Sequence, residues 1–128
     1  MLANTLIYVG AALPLFWGIA HLFPTKSVVR GFGDIGADNK NIITMEWIVE
    51  GVALIFIGSL VILVTVIDSA NIVSQTVYIA SSVCLVVLAI ISLMTGFKIH
   101  FLPFKLCPVI FITSATFITS GWIMLSAT

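Results

Sequence analysis

Glu50 is the side chain in this sequence best placed to do chemistry. It lies about one helical turn inside the apolar stretch 47–67, where an ionised group costs roughly 2.5–3.5 kcal/mol on insertion scales. A carboxyl kept at that cost needs a partner or a task. Glu46 precedes it by four residues, so two of the chain's five acidic residues share one helix face. His21 closes an earlier apolar segment, and His100 lies between two later ones. Imidazole and carboxylate together can pass a proton or orient a polar ligand group. The ligand-binding candidates are therefore Glu50, Glu46, His21, Trp17 and His100, with Glu50 and His21 as the acid–base candidates. The set His21, Glu46, Glu50 and His100, with Asp34 as a fifth member, also has the donor types that suit zinc, iron or manganese. Neither HExxH nor the Glu-x-x-His of di-iron bundles is present, so no metal is assigned.

The elements that must position these groups follow from composition. The chain is 61% hydrophobic and 8% charged, and its mean hydropathy is +1.28. A soluble domain would carry about 25% charged residues. The reading is an all-α integral membrane four-helix bundle, because a bilayer leaves no water to satisfy an open backbone. One domain over 1–128 contains approximate spans 2–23, 45–67, 75–97 and 108–126, each near the ~20 residues that a crossing needs. The first span lacks a basic leading region and its apolar run is long for a signal peptide, so it is read as a span. Zero formal net charge argues against nucleic acid as a partner.

Charge placement predicts orientation. Lys26, Arg30 and Lys40 lie between spans one and two, and Lys98 and Lys105 between spans three and four. Both connections face one side, which the positive-inside rule makes cytoplasmic. Both termini and the connection 68–74 are then outside, in a bacterial-type inner (plasma) membrane. Tyr8, Tyr78 and Trp122 are expected as aromatic anchors at the outer interface, and Trp47 at the inner one.

Within the spans, Gly10, Pro14, Trp17 and His21 fall on one helix face. Pro14 removes the amide that would pair with the Gly10 carbonyl, which predicts a bend and a spare acceptor there. The face is a packing seam or a cavity lined by Trp17 and closed by His21. Span two offers two adjacent faces: Glu46, Glu50, Ala53 and Ile57 on one, and Trp47, Gly51, Leu54 and Gly58 on the other. Ser74, Ser81, Cys84, Ser92 and Thr95 mark a polar stripe on span three, and Thr113, Thr116 and Ser120 one on span four. Pro108 is expected in the first turn of span four. The formal GxGxxG at 31–36 has no preceding strand and carries Asp34, so it is read as turns in a surface loop, not as a dinucleotide site. The segment 99–104 is read similarly. Cys84 is read as a small packing residue, and Cys107 is placed near the cytoplasmic end, where disulfides rarely persist.

The stretch Phe16-Trp17-Gly18-Ile19-Ala20-His21-Leu22-Phe23-Pro24, with Glu46-Trp47-Ile48-Val49-Glu50-Gly51 and the apolar run on to Gly58, resembles the broad DoxX-like group of small bacterial four-helix membrane proteins. The resemblance covers about a third of the chain. It implies a four-helix membrane fold and places Glu50 at the group's helix-two glutamate; members of that group have been linked to quinone-coupled redox complexes or remain uncharacterised. Three functional readings remain open. The first is a multi-pass inner-membrane protein that binds a small hydrophobic ligand, quinone or lipid, or serves as an accessory subunit beside a membrane-protein partner or another copy of itself. The second is an integral-membrane enzyme using Glu50 and His21 as acid and base on a lipophilic substrate. The third is proton or ion transport.

Overall fold

The computed structural model describes residues 1–98 and 102–127, and every regular element among them is helical. Helix α1 runs Leu2–Leu22, α2 Thr25–Gly31, α3 Ala37–Asp68, α4 Ile72–Thr95 with a 3-10 turn at Gly96–Lys98, and α5 Leu102–Ser126. Four of these, α1, α3, α4 and α5, are long and apolar enough to cross a membrane. Their outer surfaces carry exposed Phe16, Phe56, Ile90, Leu93 and Val109. Apolar side chains facing outward all round the bundle are what a lipid environment calls for.

The helices run beyond the hydropathic spans. Helix α3 begins at Ala37, and its 32 residues measure about 48 Å against a hydrocarbon core of ~30 Å. Its first turn is polar, with Asp38 at the end where the helix dipole favours a negative charge. Hydropathy marks where lipid begins; hydrogen bonding and local propensity decide where the helix begins. Residues 25–31, read from sequence as loop, form the short helix α2. Gly33, at φ 76°, makes the turn after it. Pro108 is inside α5, not in its first turn, because the helix already starts at Leu102.

Around the bundle the order is α3, α1, α5, α4, with a shorter α3–α4 contact closing the ring. Helix α1 therefore touches both α3 and α5, and glycines set how closely. A Cβ at Gly58 would stand 2.5 Å from the Ala11 carbonyl oxygen, and one at Gly18 would stand 2.6 Å from that of Gly51. On the other side, a Cβ at Gly121 would meet the Ala3 carbonyl at 2.6 Å. No side chain larger than hydrogen fits at these crossings without moving a backbone. Between them the core is filled by Ile7, Leu54, Val61, Tyr78, Leu85, Phe111 and Ile118.

The acceptor released by Pro14 is taken. Ser114 Oγ, fully buried, donates to the Gly10 carbonyl at 2.6 Å and ties α5 to α1. The stripe expected on span four is displaced by one residue: Ser114 faces inward, whereas Thr116 is exposed and bonds its own helix at Ile112. On α4, Ser74 and Ser81 are buried as expected, but Cys84 and Thr95 are exposed. The inward face is instead completed by Tyr78, Leu85 and Ala89. Tyr78 is no interface anchor. Its ring is fully buried, and its hydroxyl shares a 2.9 Å hydrogen bond with Thr65 Oγ1, an inward partner that an isolated α4 does not have.

Two expectations follow. Gly58→Leu should destabilise the bundle by about 1–3 kcal/mol through overpacking, while Gly31→Ala, with open space around it, should lie within about 0.5 kcal/mol of the parent in a detergent unfolding titration. Ser114→Ala should cost about 0.6–1.7 kcal/mol. The loss should shrink in a Pro14→Ala background, where the restored amide reclaims the Gly10 carbonyl, and a double-mutant cycle measures that coupling.

Candidate functional site

Helix order brings His21 to Glu50. The glycine crossing at Gly18 and Gly51 sets α1 against α3, and one turn on from it the His21 Nε2 lies 3.4 Å from Glu50 Oε2. The two groups differ in access: the histidine side chain is 5% exposed and the glutamate 40%. His21 Nε2 makes no hydrogen bond, so its polar contact is this imidazole–carboxylate approach. Glu50 is thus a half-open carboxyl with a buried imidazole behind it.

Trp47 is the organising side chain. Its indole stacks on the His21 ring with centroids 3.8 Å apart and planes 14° from parallel. Its Nε1–H donates to the His21 carbonyl at 2.7 Å, satisfying one of the backbone oxygens left open where α1 ends. Phe104 of α5 also meets the indole, edge-on at 5.6 Å. Trp47 was expected as an aromatic anchor at the inner interface. It is 7% exposed and serves as a platform for His21, because the face carrying Trp47, Gly51, Leu54 and Gly58 is the one that packs.

Beside this group is a cleft of about 180 Å³ lined by Trp17, Ala20, His21, Pro24, Trp47 and Pro103. Trp17 and Ala20 also line a second, apolar groove of about 440 Å³ with Val9, Leu13, Phe16 and Ile110. The two hollows therefore lie side by side along α1, with Trp17 and Ala20 lining both. Trp17 is held in place between them by its indole N–H, which donates to Cys107 Sγ at 3.4 Å. Trp17 lines and His21 ends a hollow on the α1 face, as the seam-or-cavity reading of that face allowed.

The remaining candidates separate from this pair. Glu46 is exposed, one turn nearer the start of α3, and Asp34 is exposed in the turn before it. His100 lies outside the described residues. Among the described residues no three of His, Cys, Asp and Glu gather closely enough to hold a metal ion. Sequence reasoning offered Phe104 only as one of the phenylalanines of 99–104 that could anchor in the interface or cover a ligand, and did not single out Pro103 or Cys107 for the site. Each comes from the start of α5, and nothing local in the sequence says that this turn lies against the end of α1.

The fold and site define an all-helical, multi-pass membrane bundle with an aromatic-walled imidazole–carboxylate pair at one end. No family model matches the chain, and no curated protein or solved structure is detectably similar to it.

Trp47 substitutions should separate packing from hydrogen bonding. Trp47→Phe keeps an aromatic face against His21 but removes the N–H, and should cost about 0.5–1.5 kcal/mol. Trp47→Ala opens a cavity and should cost about 3–5 kcal/mol. Unfolding in neutral detergent reads both.

Proposed function

We propose that this protein is a DoxX-like inner-membrane protein that binds a small hydrophobic ligand, a quinone or a lipid, in the cleft beside His21, as a ligand carrier or as an accessory subunit of a membrane complex. The observation that carries the reading is the apolar α1–α5 groove lying beside the cleft lined by His21, with Trp17 and Ala20 common to both and Glu50 3.4 Å from the imidazole. A quinone or lipid has that division of parts: an apolar tail for the groove and a compact polar head for the imidazole end. Flat aromatic walls from Trp17 and Trp47 suit a ring-shaped head, since stacked rings gain energy beyond area burial. The five basic residues on one side of the spans support a cytoplasmic position for this end and both termini outside.

The acid–base reading rests on the same pair. A carboxylate 3.4 Å from an imidazole can hold that ring ready to accept or return a proton from a lipophilic substrate in the cleft. In this variant Glu50 positions and polarises, and His21 exchanges the proton. Ion transport draws no comparable support: the polar groups at the opposite end, such as Thr65, Tyr78 and Ser74, are engaged with one another or with backbone carbonyls.

Native mass spectrometry of gently extracted protein tests the proposal. The parent should carry a quinone or lipid that His21→Ala and Glu50→Gln lose by about tenfold or more, with helicity unchanged. Parent and variants flying equally bare, or holding the same ligand equally, would remove this cleft as the binding site. A retained ligand that is chemically converted only by the parent would favour the enzyme.

A further inference from the structure

A second cleft lies at the junction of α2 and α3 and is independent of the His21 site. It has a volume of about 220 Å³ and is lined by Thr25, Lys26, Val29, Arg30, Lys40 and Thr44. Three of its six lining residues are cationic, and they are three of the chain's five Lys and Arg residues. Buried Val29 seats α2 on α3 and so holds Lys26 and Arg30 across from Lys40.

These charges have no counter-ion among the described residues. Among the described residues the ion pair within 4.0 Å is His21 with Glu50, and none of Lys26, Arg30 or Lys40 reaches a carboxylate. Asp34 and Asp38 are near in sequence but line no part of the cleft. The two threonine hydroxyls are already used as donors, Thr25 to the Leu22 carbonyl and Thr44 to the Lys40 carbonyl, both at 2.7 Å. Donation into the cleft is therefore left to the cations, which is a demand for an anion with several acceptor oxygens.

The surroundings say where that anion comes from. Phe23, Phe32, Ile42 and Met45 are all exposed on the same α2–α3 end, between 51% and 85%. Beside them α3 extends beyond the length needed to cross the hydrocarbon. Exposed apolar side chains next to unpaired cations suit the boundary between acyl chains and headgroups, not open water. The space, several times the ~30 Å³ of a water molecule, admits a phosphodiester with part of its glycerol.

We infer that the α2–α3 cleft binds the phosphodiester headgroup of an anionic membrane phospholipid. Lys26, Arg30 and Lys40 take the phosphate oxygens, and Phe23, Phe32, Ile42 and Met45 rest among the adjoining chains. The bound lipid then fastens α2 to α3 at the end of the bundle where the aromatic cleft opens, without taking part in that cleft's chemistry.

The test uses the full chain in nanodiscs of neutral phosphatidylcholine containing a graded fraction of phosphatidylglycerol, with retained lipid counted by native mass spectrometry. The parent should hold phosphatidylglycerol in strong preference to phosphatidylcholine. Each cation removed should lower the preference about fivefold, so that Lys26→Gln/Arg30→Gln/Lys40→Gln lowers it on the order of a hundredfold. The double variant Lys98→Gln/Lys105→Gln, which removes charge from the other connection with basic residues, should retain it. Circular dichroism in neutral lipid confirms that the variants are folded, and Lys26→Gln alone, on an exposed position, provides a mild second reading. No preference in the parent, or equal loss in the triple and double variants, would overturn the inference. So would displacement of the lipid by millimolar inorganic phosphate, which would make the site one for a soluble anion.

Discussion

Close approach of α1 to its two neighbours is the constraint from which the rest of the bundle follows. In lipid the hydrophobic effect gives helices little reason to prefer one another to acyl chains, so association rests on packing and on a few polar contacts. Here the packing is set by glycines opposite backbone carbonyls, Gly58 at Ala11, Gly18 against Gly51 and Gly121 at Ala3. Contacts of that kind have almost no adjustable side chain between them. They fix not only the separation but the rotation of α1 and α3, and His21, Trp47 and Glu50 lie within a turn of that crossing.

The polar contacts are arranged around the same helix. Pro14 leaves a carbonyl that must be satisfied inside the bundle, and Ser114 satisfies it from α5. At the end of α1, Trp47 does the corresponding work from α3 for the His21 carbonyl. Each of these bonds joins two helices that are distant in sequence. In an apolar medium an open carbonyl costs more than in water, so the bonds specify partners as well as stabilise them. The aromatic cleft lies beside that arrangement, with Pro24 and Pro103 completing its lining next to His21.

The two clefts are chemically distinct. The cleft at His21 is aromatic, with an internally paired carboxylate. The α2–α3 cleft is cationic, with no carboxylate opposite. The two clefts share no lining residue.

Much of the architecture was legible in the residues. Four apolar runs imply four spanning helices because backbone groups in lipid have no other way to be satisfied, and the Gly10–Pro14 spacing announced a spare acceptor before any partner was known. Which residue would answer it was not legible. Thr113, Ser114 and Thr116 are chemically alike, and only the rotation of α5 selects Ser114. Tyr78 and Trp47 were misplaced for a related reason: an amphipathic ring suits either a membrane interface or a buried hydrogen bond, and burial is decided by neighbours on other helices. The sequence by itself determined the class and the four apolar spans, since these depend on local composition. The tertiary structure alone decided that His21 meets Glu50, because the order of helices around a ring is a property of their mutual packing and is written in no single segment.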